Sequence, residues 1–247
     1  MTATAEPASR PPTVPDLLRS ATDRSGRTPE QWLTAAFADV EGPVLEVRAA
    51  APDPARYISL RLLAAAGPGR TGRSGPPAEQ TGRAEADRLP VRTSGLAGVR
   101  AIMCLPVVEP LNGLFAELRR VLRPTGTLAA LVPSRPGTPV LAPRGWRPLN
   151  RALAGHPGFR HESARDHLSW LLTAADFAVL ADQRRVFWIP IPDPAAAEAA
   201  VAALVPAGVW PPDVPADRVR RAAEGLARQA APGRRLPIAL RMLVGRR

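Results

Sequence analysis

The chain has 247 residues and a formal net charge of +11, and all 33 of its lysine-plus-arginine residues are arginines. A hydrophobic content of 45% is that of a globular protein and excludes a chain without a core. The single cysteine, Cys104, excludes an internal disulfide, and the sequence has neither a zinc-type Cys/His spacing nor an apolar run of roughly 20 residues.

These features predict a cytoplasmic protein with no metal site and no membrane association. The absence of lysine, together with abundant alanine, arginine and proline, is typical of a GC-rich coding bias, which raises arginine throughout a chain. Nucleic-acid binding is therefore not expected, although arginine neutralises phosphate groups well.

One domain is expected after a short lead. Residues 1–27 carry few apolar side chains and are predicted to be a flexible N-terminal lead, and residues 28–247 to form a single domain. Within that domain, residues 67–82 are rich in glycine, proline and arginine and predict a flexible loop.

The first predicted elements are two helices that flank a strand. Thr28 as N-cap and Pro29 at the first helical position predict a helix whose apolar face extends over residues 32–40. A short strand is expected at residues 44–47. An Asp-Pro pair then opens a second predicted helix over residues 53–66.

The middle of the chain predicts a strand, a helix and a strand. Residues 99–105 are typical of a buried strand, and residues 114–122 carry the apolar stripe of a surface helix with Asn112 as its cap. A second strand is expected at residues 127–132.

The C-terminal part predicts helices and strands in mixed order. Ser163 is expected to cap one helix, and two further helices are predicted at residues 194–204 and 217–229. Strands are predicted at residues 177–181, 186–191 and 238–244. The whole pattern favours an α/β fold with a mainly parallel sheet and an antiparallel C-terminal edge.

Two segments then point to a family. Residues 117–128 read Glu-Leu-Arg-Arg-Val-Leu-Arg-Pro-Thr-Gly-Thr-Leu, and residues 85–90 read Glu-Ala-Asp-Arg-Leu-Pro. The first resembles the motif E-[LM]-x-R-V-L-[RK]-P-G-G-x-L that precedes the fifth strand of class I S-adenosylmethionine-dependent methyltransferases, in particular the methyltransferase type 11 group. The second resembles the acidic and Leu-Pro segment that follows the third strand of that family.

The resemblance implies a Rossmann-like fold, S-adenosylmethionine as cofactor and a small-molecule substrate. It also implies cofactor-binding positions at the end of the first strand, where Glu46 matches the family's acid. Arg48, Ala50 and Pro52 stand where the family has its three turn glycines. None of these three residues has the freedom of glycine at positive φ, so the turn departs from the pattern.

Two further cofactor positions follow from the same resemblance. Ser74 stands where the family has the acid that binds the ribose hydroxyls, and it lacks the charge of a carboxylate. Asp87 matches the acid that meets the adenine amino group. From the residues alone, Asp87 is also explained as a loop acid bonded to nearby backbone, and Glu46 as a partner of Arg48.

No catalytic residue is assigned, but His161 is the candidate general base because it precedes the helix after the fifth strand. Cys104 ends an apolar strand and is expected to be a buried small residue. Two functions remain open. The chain is either a small-molecule methyltransferase, for example of bacterial secondary metabolism, or a degenerate relative that has lost the cofactor and serves as a binding or scaffold partner or in another reaction.

Overall fold

Seven strands and eight helices are formed by residues 14–50, 53–63, 81–134 and 147–247, which the computed structural model describes. The strands are β1 (Val44–Ala49), β2 (Tyr57–Leu63), β3 (Thr81–Glu85), β4 (Leu96–Ile102), β5 (Leu122–Pro133), β6 (Ala178–Pro190) and β7 (Arg235–Arg246). The helices are α1 (Val14–Ser20), α2 (Pro29–Ala35), α3 (Leu111–Val121), α4 (Arg147–Leu153), α5 (Glu162–Asp166), α6 (Leu168–Ala174), α7 (Pro194–Ala202) and α8 (Ala216–Ala227).

The strands form one sheet in the order β3-β2-β1-β4-β5-β7-β6. The central strands β1, β4 and β5 are parallel, and β7 and β6 form the antiparallel C-terminal edge. This confirms the Rossmann-like α/β fold expected from the sequence. The other edge is antiparallel as well, because β2 runs opposite to β1, and β3 opposite to β2.

The chain reverses its direction of travel across the sheet between β1 and β4. It proceeds from β1 outward to β2 and β3 and then returns to β4 on the other side of β1. In open α/β sheets, ligands bind in the crevice at the carboxyl ends of the strands at such a switch point. The sheet therefore defines one crevice, beyond the ends of β1 and β4, as the position to inspect first.

Helices cover both faces of the sheet. One face packs against α1, α2, α7 and α8 in a core that includes Leu33, Leu131 and Phe187, and the other face packs against α3, α5 and α6 around residues such as Leu118 and Leu168. Among the described residues, no helix is long and apolar enough to cross a membrane.

The start of the first predicted helix is confirmed by its cap, but the helix ends at Ala35, so residues 36–40 are not part of it. The backbone N–H of Gln31 donates to the Thr28 hydroxyl at 3.2 Å, and the Gln31 side-chain oxygen accepts from the Thr28 N–H at 2.9 Å. This reciprocal capping box satisfies two donors that a helix start leaves open. Ahead of it, within the predicted lead, α1 packs onto the core through Leu17 and Leu18, which are 2% and 4% exposed.

The predicted helix over residues 53–66 is wrong, since Tyr57–Leu63 form strand β2. Ile58 and Leu60 are buried while their neighbours are partly exposed, which is the two-residue period of a strand. The sequence predicts a helix here because the closely spaced leucines also fit a broad apolar helical face. Residues 64–80, which include most of the predicted flexible loop, lie outside the described residues, and residues 81 and 82 begin β3.

Two further predictions near the C-terminus need correction. The strands predicted at residues 177–181 and 186–191 are one strand, β6, which has a bulge between Val179 and Ala181. The polar residues in its middle suggested a turn because they lie on an exposed sheet edge. Neither Asn112 nor Ser163 is a helix cap, because α3 and α5 begin one residue earlier and no side chain caps them.

Candidate functional site

Backbone hydrogen bonds join the described segments on either side of the switch-point crevice. After β1, the backbone N–H of Ala50 donates to the carbonyl of Tyr57 at 2.9 Å, so the pairing of β1 with β2 continues beyond the strand end. On the opposite side of the crevice, the N–H of Glu109 donates to the carbonyl of Ala55 at 2.6 Å. The segments that follow β1 and β4 are thus joined directly by backbone.

Asp87 lies at the same end of the sheet. It follows β3, and a Cβ added to Gly113 at the start of α3 would be 2.8 Å from the Asp87 Cβ. The N–H of the preceding Ala86 donates to the carbonyl of Arg56, so this segment is tied to the start of β2. The structure therefore brings Ala50 and Asp87 to one end of the sheet.

Glu46 is elsewhere. The first strand does not end at this acid, as the resemblance implies, but continues to Ala49. Glu46 is 3% exposed, and its Oε1 accepts from Arg48 Nε at 2.9 Å. Its Oε2 lies 3.8 Å from Arg100 Nη1, and Arg61 is its neighbour on β2. Glu46 is thus the acid of a buried cluster of arginines within the sheet.

Burying the charge of Arg100 in this cluster costs free energy, which the Glu46 carboxylate partly offsets. Burial lowers the pKa of Arg100 from its ordinary value, and the nearby Glu46 carboxylate acts in the opposite direction. Arg100 also donates to the Thr34 hydroxyl on α2 at 3.1 Å. A cavity of about 50 Å³ beside Glu46 and Arg48 has room for water only.

Of the remaining predicted site residues, His161 lies beside the crevice, where it lines an open pocket of about 800 Å³ together with Ala55 and Glu109. Ser74 lies outside the described residues. His161 precedes α5, where its N–H donates to the carbonyl of Pro106 at 3.0 Å and its Nε2 is buried without a hydrogen-bond partner. Among the described residues, no group of three or more His, Cys, Asp or Glu side chains is arranged to hold a metal ion.

Cys104 is buried, as predicted, directly below the crevice. Burial raises the pKa of its thiol to about 12, and the Sγ–H points to the carbonyl of Val47 at 3.8 Å. A thiol in this state is not a nucleophile near neutral pH. It packs β4 against β1.

The segment with the methyltransferase-like motif acts as a clamp. Arg120 donates to both oxygens of Glu117 at 2.6 and 2.7 Å and to the carbonyls of Leu89 and Val91. Glu117 in turn accepts from the Leu89 N–H at 2.7 Å. The two matching segments of the sequence therefore meet in space, and the contact fixes the chain between β3 and β4 onto α3.

Sequence reasoning missed another cavity, of about 320 Å³, at the carboxyl end of β5 and the amino end of β7. Its walls are mostly apolar, formed among others by Leu149, Leu153, Phe159, Leu204, Val209 and Trp210. The polar side chains that line the cavity are Ser134, Asn150, His156, Glu162 and Arg165. One feature of the sequence could have indicated this cavity. Pro133 ends the parallel strand β5 and Ser134 follows it, at the edge of the sheet where α/β folds bind ligands.

The polar groups of this cavity are held in place by the protein. His156 Nδ1 accepts from the Gly158 N–H at 3.0 Å, and its Nε2 lies 3.5 Å from Asp213. Glu162 accepts from the Phe159 N–H at 2.7 Å and is bonded to Arg165. The carboxylate and the guanidinium compensate each other, so the cavity combines apolar side chains with a charge-balanced polar pair.

No protein-family model matches the chain, and no curated protein matches its sequence. Solved structures with a similar arrangement include the YcgJ protein from Bacillus subtilis, with 17% identity, a TM-score of 0.38, and coverage of 66% of this chain and 69% of that one. The [4+2]-cyclase SpnF has 19% identity and a TM-score of 0.35, over 66% of this chain and 54% of its own.

A third similar structure is the 1,6-didemethyltoxoflavin-N1-methyltransferase from Burkholderia thailandensis, solved with S-adenosylhomocysteine bound. It has 16% identity and a TM-score of 0.32, over 66% of this chain and 48% of its own. The chain thus spans about half the length of this protein and of the cyclase. The strand order and directions define the fold independently of these scores.

Proposed function

We propose that this chain is a methyltransferase-like protein whose crevice between β1 and β4 no longer takes S-adenosylmethionine, and that it binds a small apolar molecule in the cavity between β5 and β7. The proposal favours the degenerate relative over the active methyltransferase. It treats the protein as a binding module, and no methyl-transfer step is assigned to any residue.

The observation that carries this proposal is the backbone bond from Glu109 to Ala55 across the crevice. A cofactor of this family needs a turn that allows close approach of the backbone, followed by a helix whose N-terminus faces the ligand. Here β1 enters antiparallel β2 instead, and Ala50 is paired with Tyr57. A cofactor bound in the family's manner would have to break these contacts.

The state of Glu46 supports the same conclusion. Its carboxylate is engaged by Arg48 and lies among arginines under α2, so it does not face the crevice. Releasing it toward a ligand would leave Arg100 buried without a counter-charge, which is costly.

The cavity between β5 and β7 supports the binding half of the proposal. Its volume of about 320 Å³ is at the lower end of the range for small-molecule sites. Its apolar walls and internally paired polar groups suit a neutral, mainly hydrocarbon ligand with one or two polar atoms.

An active methyltransferase remains the second candidate, because Asp87 follows β3 as the family pattern requires and the clamp of Glu117 and Arg120 holds that segment in place. The two candidates differ in one measurable property. The active enzyme must bind S-adenosylmethionine, whereas the degenerate relative does not.

Calorimetric titration of the full chain with S-adenosylmethionine and with S-adenosylhomocysteine separates them. We expect no binding of either compound at millimolar concentration. A dissociation constant in the micromolar range for either would overturn the first half of the proposal and favour the methyltransferase.

Ligand binding in the cavity between β5 and β7 is tested with the fluorescent probe N-phenyl-1-naphthylamine. Because this probe is neutral, the net positive charge of the protein does not attract it. We expect saturable enhancement of its fluorescence and at least tenfold weaker binding to the Ala239→Leu variant, since Ala239 lines the cavity. The matched control is Ala195→Leu at an exposed position of α7, which should bind like the unmodified chain. Equal binding by all three proteins would contradict the assignment.

A further inference from the structure

Strand β6 is the last strand of the sheet, and among the described residues most of its outer edge is unpaired. It pairs with β7 along its whole length, and on its outer side the described residues supply one backbone partner, Thr22. Thr22 and Trp188 exchange both backbone hydrogen bonds, at 3.1 and 2.8 Å. Because backbone groups alternate along a strand, those of Asp182, Arg184 and Val186 point outward like those of Trp188.

Exposed apolar side chains concentrate at this edge. Among the described residues, the large hydrophobic side chains that are exposed are Trp170, Leu180 and Val186, at 67%, 52% and 37%. Leu180 and Val186 belong to β6, and Trp170 belongs to α6, the helix that packs beside β6. An open strand edge next to apolar side chains is a template for pairing with another strand.

We propose that two copies of the chain associate through their β6 edges, which pair antiparallel about a two-fold axis and join the two sheets into one. A two-fold axis makes the contact self-complementary and closed, so that the same residues serve on both sides. The charges on β6 and the part of its edge that Thr22 occupies then decide which register is possible.

Antiparallel pairing of the outward-facing residues Asp182, Arg184 and Val186 with one another leaves five positions for the axis, at each residue from Asp182 to Val186. An axis at Asp182, Arg184 or Arg185 places that charged residue opposite its own copy, which is unfavourable. An axis at Gln183 places Asp182 opposite Arg184 of the second copy, twice by symmetry. Like Gln183, Val186 is uncharged, but an axis there would pair Arg184 with Trp188, whose edge is occupied by Thr22. The charges and this occupied edge together select the register at Gln183.

The contact is bounded at both ends. Thr22 occupies the edge at Trp188, and the bulge next to Leu180 interrupts regular pairing at the other end. The register at Gln183 therefore yields about four regular backbone hydrogen bonds, together with burial of the apolar residues. Such a short pairing predicts a reversible dimer whose population depends on concentration.

Cysteine cross-linking tests the register directly. In the proposed dimer Gln183 faces Gln183 of the second copy in a non-hydrogen-bonded pair, with Cα atoms about 4.5 Å apart, within the span of a disulfide. The native Cys104 is buried and does not interfere. We expect the Gln183→Cys variant to form a covalent dimer rapidly under mild oxidation.

The matched control is Val186→Cys, also on the exposed edge. In the same register its two copies are separated by about 20 Å, so it should not cross-link. Absence of a dimer for Gln183→Cys, or equal cross-linking of both variants, would overturn the proposal. Since Gln183 accepts a hydrogen bond from Trp32 at 3.3 Å, the melting temperature of each variant is compared with that of the unmodified chain.

Sedimentation equilibrium gives a second test without cysteines. Arg184→Asp places acids opposite each other across the axis and is expected to weaken self-association at least tenfold. Arg220→Asp makes the same charge change at an exposed position of α8 and should leave association unchanged. A chain that is monomeric at all concentrations, or equal behaviour of the two variants, would contradict the proposed interface.

Discussion

The role of Glu46 follows from its surroundings in the folded chain. In the sequence it matches a cofactor-binding acid or a partner of Arg48, and both interpretations are consistent with its spacing. The structure places it 3% exposed, bonded to Arg48 and near Arg100. Its chemistry is therefore that of a buried counter-ion, which stabilises the sheet.

Replacement of Glu46 by Gln is expected to lower the free energy of unfolding by about 3–5 kcal/mol, because it leaves the buried guanidinium of Arg100 without its counter-charge. Urea denaturation measures this change. The control is Glu41→Gln at an exposed position, which should stay within about 0.5 kcal/mol of the unmodified chain. A similar small effect for both variants would show that the cluster is solvated.

At the scale of elements, the pairing of β2 with β1 determines which backbone groups border the crevice. The sequence predicts a helix after residue 53, as in a doubly wound fold, and the structure has a strand there. Local apolar spacing did not distinguish the two, because Ile58, Leu60, Leu62 and Leu63 satisfy both periods in part. Pairing with β1 decided the outcome, since it satisfies the backbone of both strands.

The clamp on α3 joins the two segments that carry the family resemblance, a contact that the sequence did not predict. Replacement of Arg120 by Lys keeps the charge but removes the fork that reaches Glu117, Leu89 and Val91 together. We expect a loss of about 1–3 kcal/mol in unfolding free energy, measured by urea denaturation. Arg88→Lys, at an exposed position, is the control, and equal losses in the two variants would refute a specific clamp.

At the scale of the whole molecule, the Asp182–Arg241 pair joins the C-terminal edge of the sheet to the helices above it. Arg241 is 3% exposed and donates to both Asp182 oxygens at 2.8 and 2.6 Å. It also donates to the carbonyls of Arg165 and Asp166 on α5. These hydrogen bonds hold the pKa of Asp182 below its usual value.

A depressed pKa in the folded state means that Asp182 stabilises the protein above its unfolded pKa of about 3.9, and that this contribution disappears as the pH falls through the folded value. The Asp182→Asn variant should therefore be less stable than the unmodified chain at pH 7, and the difference should shrink below about pH 4. Unfolding free energies across this range check the trend. Asp39→Asn, at an exposed position, is the control, and equal effects of the two substitutions across this pH range would refute the role of the Arg241 pair.

The sequence by itself determined the alternating character of the fold, the capped helix at Thr28, the parallel central strands and the segments that form the α3 clamp. These features depend on local periodicity and short-range hydrogen bonds, which a single sequence displays. Only the tertiary structure decided that β2 is a strand, that Glu46 belongs to an arginine cluster, and that the backbone bridges the crevice from Ala55 to Glu109. Each of these depends on contacts between distant segments, where pairing and burial override local preference.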